Sequence, residues 1–218
     1  MNAGAGADAD ADPDLDPREL LRRVYERIDG FEISLADART VERSRGSATY
    51  GELMPTATLR LLSHLELGPR DCFVDLGAGV GKVVLLAVLC TPVGRAVGVE
   101  LSPTRARLAE RALARARELG LSKKILARVS LIEGDMMRVP LSEATVIYTC
   151  STSFSDAFMV RLAQHLAALP RLRKIASLQP FEDAPAGFEL IEIYKLDASW
   201  KRRTKVYVYA RTTADEPV

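Results

Sequence analysis

One stretch constrains this chain more than any other: Cys72-Phe73-Val74-Asp75-Leu76-Gly77-Ala78-Gly79-Val80-Gly81-Lys82, followed by the apolar run Val83 to Cys90. It reads as a buried strand, a turn with three alternate glycines, and a helix. The glycines tolerate φ > 0 and let backbone approach a ligand where any Cβ would collide. A strand–glycine turn–helix unit is how open α/β sheets hold a nucleotide-like ligand at the carboxyl ends of their strands. A tight glycine turn with no ligand has the same local pattern, so the flanking sequence has to decide.

Arg95-Ala96-Val97-Gly98-Val99-Glu100 reads as a second strand ending on an acidic residue, with one helix between the two, which completes a βαβ unit. A carboxylate at that place, roughly 20 residues past the glycines, accepts hydrogen bonds from a ribose diol. The spacing Gly77, Gly79, Gly81 is one residue short of the G-x-G-x-x-G that a pyrophosphate calls for. Asp75, two residues before the first glycine, also disfavours a diphosphate. It suits a ligand with a cationic end, such as the amino group of S-adenosylmethionine. A dinucleotide remains the alternative.

A chain of 218 residues is long enough for one domain with a sizeable core. Its net charge of +1 argues against a nucleic-acid partner recognised by bulk charge. Cys72, Cys90 and Cys150 are far apart and odd in number, and His64 and His165 fall on separate expected helices. Neither a disulfide framework nor a metal site is expected. The longest apolar run is too short to span a bilayer, and the first residues lack the basic and apolar regions of a signal peptide. A reducing cytoplasm is the expected compartment.

Residues 1–15 are Ala, Gly and Asp with almost nothing apolar, an expected disordered acidic tail. Residues 16–54 read as an N-terminal helix and a lid segment, and 55–212 as the core. Asp16-Pro17-Arg18-Glu19 gives an N-cap, a proline at the first helical position and a capping-box glutamate. Leu20, Leu21, Val24 and Ile28 then carry the helical period up to Gly30. Residues 31–49 lack a clean period. A second helix shows Leu59, Leu62 and Leu65 on one face. Ser102-Pro103 opens another, with Leu108, Ala112, Leu113, Ala116 and Leu119 facing a sheet and Arg107, Arg111 and Arg115 forming a solvated stripe.

Strands are expected over 127–132, 145–149, 174–178, 188–196 and 205–211, with a helix capped by Ser155 presenting Phe158, Leu162, Leu166 and Leu169 inward. The last two strands read as an antiparallel hairpin. The expectation is an α/β fold: a seven-stranded, mostly parallel sheet with helices on both faces and a C-terminal antiparallel hairpin.

Taken together these motifs resemble the non-SET histone-lysine methyltransferases, the disruptor-of-telomeric-silencing family, over roughly residues 48–210. Tyr50-Gly51-Glu52 is similar to the family's loop over the methionine end of the donor. Residues Phe73 to Gly81 are similar to its glycine motif, with Lys82 where a glutamine is usual. Gly98-Val99-Glu100 and Gly134-Asp135-Met136 match its ribose and adenine positions. Ser177-Leu178-Gln179-Pro180-Phe181 resembles its Ser-Ser-Lys-Pro-Phe, and Ser199-Trp200 with Tyr207 matches the residues that wall its lysine channel.

The resemblance implies a class I, Rossmann-like fold and S-adenosyl-L-methionine as cofactor. It implies donor binding by Tyr50, Glu52, Asp75, Gly77, Gly79, Lys82, Glu100, Asp135 and Met136. It further implies lysine methylation of a protein substrate by a set comprising Cys150, Trp200 and Tyr207. Cys150-Ser151-Thr152 stands where the family has Asn-Asn-Phe, so the acceptor pocket is rebuilt, with Ser151 and Thr152 as sources of hydroxyls. No histidine is placed to activate Cys150 as a nucleophile. The family's basic DNA-contacting extension has no counterpart, which favours a protein amine outside the nucleosome.

On their own residues, Tyr50-Gly51-Glu52 could equally be an exposed turn, and Trp200 and Tyr207 hairpin core aromatics. Lys201, Arg202, Arg203 and Lys205 could be a solvated loop or a docking patch for an acidic partner. A small-molecule or RNA methyltransferase and a non-catalytic donor-binding module are the other functional readings.

Overall fold

The computed structural model describes residues 16–31, 33, 34, 37, 39 and 51–212. The tail expected over 1–15, most of the 31–49 segment and Tyr50 lie outside the described residues.

Helix α1 (Pro17–Val24) starts where the side chain of Asp16 accepts from Arg18 N at 3.0 Å. The expected capping box does not form, because the Glu19 carboxylate turns to Arg22 instead, at 2.7 and 2.8 Å. The helix buries Leu20, Leu21 and Val24 and stops at Tyr25, short of Ile28. Helix α2 (Pro55–Leu65) ends on Glu66, whose φ of 54° is left-handed without the help of a glycine.

The remaining elements alternate: β1 (Cys72–Leu76), α3 (Lys82–Cys90), β2 (Arg95–Glu100), α4 (Pro103–Glu118), α5 (Lys123–Leu126), β3 (Val129–Glu133), β4 (Val146–Thr149), α6 (Asp156–Ala167), β5 (Lys174–Ser177), β6 (Phe188–Leu196) and β7 (Thr204–Arg211). The strands form one sheet in the order β3-β2-β1-β4-β5-β7-β6. The first five are parallel, and β7 runs antiparallel between β5 and β6. This is the class I methyltransferase order. Chain direction across the sheet reverses at β1, whose neighbours are β2 and β4, and a ligand crevice opens at that switch point.

Two apolar layers clamp the sheet. On one face α1, α2 and α3 pack Leu20, Leu61, Leu65, Leu85 and Leu86 against Phe73, Ala96 and Val146. On the other, α6 packs Phe158, Leu162 and Leu166 against Val74, Leu76, Ile147 and Ile175. Truncating one such leucine to alanine costs about 2–5 kcal/mol.

Two expectations shift. The stripe that α4 buries is Arg105, Ala106, Ala109, Ala112 and Ala116, while Leu108, Leu113 and Leu119 are half-buried. Small side chains let the helix approach closely, so the leucines lie at its margins. Arg105 is covered because its Nε donates to Gly30 O at 3.0 Å. The third strand starts at Val129, since Ser122 caps the short α5 and delays it.

Candidate functional site

The crevice is built on the turn after β1. Gly77, Gly79 and Gly81 have φ of 85°, 56° and 82°, a conformation that favours glycine, so all three are required by backbone geometry. Gly77 N and Ala78 N donate to Val99 O at 2.9 and 3.0 Å, which folds the turn over the end of β2.

Glu100, 8% exposed, staples that turn: its Oε2 accepts from Gly79 N and its Oε1 from Ser102 N, both at 2.8 Å. Each oxygen keeps a second lone pair for a ligand hydroxyl. Asp75 is 2% exposed at the end of β1, and its Oδ1 has no hydrogen-bond partner among the described residues. Burial, and then the charge of Glu100, push the Asp75 carboxyl well above the usual carboxylate range. A buried polar atom left unmatched costs about 1–3 kcal/mol. Its natural complement is a ligand cation, and the amino group of S-adenosylmethionine fits that requirement.

Asp135 is half-buried, with Oδ1 accepting from Met137 N at 2.9 Å and Oδ2 3.6 Å from Arg138. Met136 lies over the glycine turn: its Cε is 3.9 Å from where a Cβ on Gly77 would sit. Asp75, Gly77, Gly79, Glu100 and Met136 thus come together at one place, with Asp135 next to Met136.

A second set gathers at the rim. Residues 52–54 pair antiparallel with 197–199, through Ser199 N to Glu52 O at 2.8 Å, Met54 N to Asp197 O at 2.9 Å and the bridge between Leu53 and Ala198. This clip lays Trp200 against Gly51, where an added Cβ would stand 2.5 Å from the indole ring. The Cys150 thiol donates to Gly51 O at 3.4 Å. Burial, followed by the negative charges of Asp75 and Glu52, pushes that thiol up to about 12, so it is neutral and no nucleophile. Lys82 Nζ sits 2.5 Å from Glu52 Oε1, its charge directed at a carboxylate.

Tyr207 is placed differently. It stands opposite Ser177 of β5 and Ile193 of β6, and its ring packs with the α6-side layer, whereas Cys150 packs with the other. Trp200 remains 44% exposed. Lys201, Arg202, Arg203 and Lys205 are all exposed around the β6–β7 turn. Arg203 joins Arg60, Lys195 and Met54 in lining a groove of about 500 Å³.

The sequence reading missed two features. Tyr25 donates from its hydroxyl to Val80 O at 2.9 Å, reaching the glycine turn from the end of α1. Burial and the nearby Glu52 charge raise its pKa. It lies four residues after Leu21, within the apolar period, which marks it for burial but not for its contact with the turn. The other is a closed ring of hydrogen bonds behind Cys150. Ser177 Oγ donates to Gln179 O at 2.7 Å, Gln179 N donates to Ser151 Oγ at 2.9 Å, and the two hydroxyls meet at 2.7 Å. Ser177 spends its proton on Gln179, so Ser151 donates to Ser177. Ser151 is therefore committed to the scaffold and supplies no hydroxyl to an acceptor.

The family model described as "Histone methylation protein DOT1" matches residues 38–208. The chain is 31% identical over 143 residues to a histone-lysine N-methyltransferase, H3 lysine-79 specific, of Caenorhabditis elegans, covering 60% of this chain and 14% of that one. It is 36% identical over 152 residues to the protein of the same description from Cryptococcus neoformans, covering 66% of this chain and 23% of that one. The chain therefore spans less than a quarter of either relative's length. A solved RNA methyltransferase from Salinibacter ruber, bound to S-adenosyl-L-homocysteine, superposes with a TM-score of 0.53 at 22% identity, over 75% of this chain and 97% of that one. At that identity the likeness is one of fold alone.

Proposed function

Since this chain belongs to the DOT1 histone methylation protein family, we propose that it is an S-adenosylmethionine-dependent methyltransferase acting on the side-chain amine of a lysine in a protein. One observation carries the donor assignment: a buried carboxyl, Asp75, whose Oδ1 has no partner among the described residues, at the switch point beside a three-glycine turn. Asp75 holds the donor's amino end, Glu100 its ribose hydroxyls, and Asp135 with Met136 its adenine.

S-adenosylmethionine supplies, when bound, a methyl group on a sulfonium, whose S–C bond breaks toward sulfur as an amine nitrogen bonds to the carbon. The residues of the chain have to align and to dry the site, and orientation alone can contribute about 7–11 kcal/mol. Trp200, on Gly51 at the rim, attracts an ammonium through its ring face and excludes water. An apolar surround disfavours the charged amine, so the acceptor sheds its proton to solvent before reacting. Tyr207, whose ring packs in the α6-side layer away from Cys150, has no part in this route. Cys150, neutral and small, contributes shape rather than chemistry.

The experiment incubates purified protein and tritiated donor with free histones, nucleosomes, non-histone lysine-rich protein and total RNA. Label in a lysine of any protein, lost in Trp200→Ala while S-adenosylhomocysteine still binds, is the expected result. Label in RNA alone, or in nothing at all, sinks the lysine assignment.

A further inference from the structure

Three segments meet where the glycine turn enters α3, and the donor and acceptor assignments above leave their junction unexplained. Lys82 is the first residue of α3. A cation there faces the positive end of the helix dipole, an arrangement unfavourable by about 0.3–1 kcal/mol. The neighbours offset it. Glu52 Oε1 lies 2.5 Å from Lys82 Nζ, with the side chains only 24% (Lys82) and 21% (Glu52) exposed, so solvent screens the pair little. The Tyr25 ring centroid lies 5.3 Å from the same ammonium, within cation–π range. Tyr25 is itself fixed, its hydroxyl bonded to Val80 O inside the turn.

Glu52 also belongs to the rim. Its backbone exchanges hydrogen bonds with Ser199, as donor to Oγ at 3.3 Å and as acceptor from N at 2.8 Å. Its neighbour Gly51 is the surface on which Trp200 rests. The Cys150 thiol adds one weak bond to Gly51 O. One side-chain ion pair therefore spans the gap between the glycine turn, which makes the donor crevice, and the indole at its rim.

We propose that Lys82 is a positioning residue: its pair with Glu52, seated on Tyr25, is the clasp that holds Gly51 and with it Trp200 over the crevice. Trp200 as a wall of the acceptor route rests on the function proposed above; the clasp itself does not. The arrangement couples two halves of the site without either residue touching the transferred group.

Trp200 is the only tryptophan of the chain, so intrinsic fluorescence reads the rim alone, with neither donor nor acceptor present. Breaking the clasp in Lys82→Met, and independently in Glu52→Gln, is expected to raise acrylamide quenching of Trp200 by about twofold. That is the ratio of full exposure to the present 44%. Lys82→Arg, which keeps the cation, restores the quenching of the parent protein. In a methylation assay the same variants raise KM for the protein acceptor more than they lower kcat.

Parent-level quenching in both Lys82→Met and Glu52→Gln overturns the proposal, as does failure of Lys82→Arg to restore it. Thermal melts of each variant separate loss of the clasp from loss of the fold. A protein that quenches as expected yet transfers no methyl group keeps the clasp and refutes the function instead.

Discussion

Replacing Asp75 with asparagine separates what the crevice costs from what it is for. The native fold holds this carboxyl buried and, among the described residues, without a partner for Oδ1, and burial and Glu100 raise its pKa well above the value of about 3.9 in an unfolded chain. The native state therefore prefers the protonated form. Stability is greatest below the unfolded pKa and declines as pH rises from there toward the folded pKa, by about 1.4 kcal/mol for each pH unit in the window.

Asp75→Asn removes that decline. In the absence of ligand it is expected to melt higher than the parent at pH 8, by roughly 2–4 °C for each kcal/mol recovered in a chain of this size, and to match it near pH 4. The same change removes the anion that pairs with the donor's amino group. A hydrogen bond to a charged group is worth about 1.5–3 kcal/mol, so S-adenosylhomocysteine should bind roughly 10- to 150-fold more weakly. In the parent, binding draws Asp75 into its ionised form and releases a proton, so affinity rises with pH. Calorimetry in two buffers of different ionisation enthalpy counts that proton. A variant that melts no higher at pH 8, together with unchanged affinity and no proton release, refutes the reasoning.

Three further outcomes follow from the geometry. Gly51→Ala places a Cβ 2.5 Å from the Trp200 ring, and the half-exposed indole swings away. Methyl transfer should fall by about 10-fold or more, since an ångström of misplacement can cost 100-fold, with S-adenosylhomocysteine affinity and melting temperature retained. Ser177→Ala opens the ring joining Ser151, Ser177 and Gln179 and strands a buried hydroxyl, a loss of about 1–3 kcal/mol in a denaturant melt. Asp71 is pushed upward by burial, but its bonds to Arg173, Gly68 N and Thr145 prevail and hold it at about 2. Its contribution is present above pH 4 and lost as pH falls toward 2. With Arg173 37% exposed this is discounted to about 1 kcal/mol, and Asp71→Asn should flatten the acid limb of the stability profile.

Elements written in one-dimensional patterns are legible in the sequence. The apolar runs of β1 and β4, the alternation of β6 and β7, and the Ser102-Pro103 start of α4 each encode themselves locally, and the structure has them there. Packing choices were less legible. Of the face expected on α4, Ala112 and Ala116 are buried, whereas Leu108, Leu113 and Leu119 yield to Ala106 and Ala109 because helix–sheet distance, a tertiary quantity, selects small residues. Glu19 had two partners within reach, and Arg22 won over the helix N-terminus. Within the site, the glycines and Glu100 are readable because the turn requires them, and Asp75 because it stands two residues before the first glycine. The contacts of Tyr25 with Val80 and of Gly51 with Trp200 join residues 55 and about 150 positions apart, and no spacing rule spans such gaps.

The charges around the crevice decide between the two ligand classes that the glycine turn admits. Among the described residues, the carboxyls of Asp75, Glu100 and Glu52 stand at the turn with the cation Lys82, which lies 2.5 Å from Glu52. What remains toward a ligand is acidic, and Asp75 sits two residues before the first glycine, where a dinucleotide would bring its pyrophosphate. A diphosphate would place two negative charges against buried carboxyls that solvent cannot screen, while an ammonium offsets the burial, and then the Glu100 charge, that raise the Asp75 carboxyl. S-adenosylhomocysteine should therefore give a calorimetric isotherm whose affinity strengthens from pH 6 to pH 8, and NAD no heat of binding at either pH. Saturable binding of NAD with none of S-adenosylhomocysteine would remove Asp75 as the anchor of a cationic group, and the donor assignment with it.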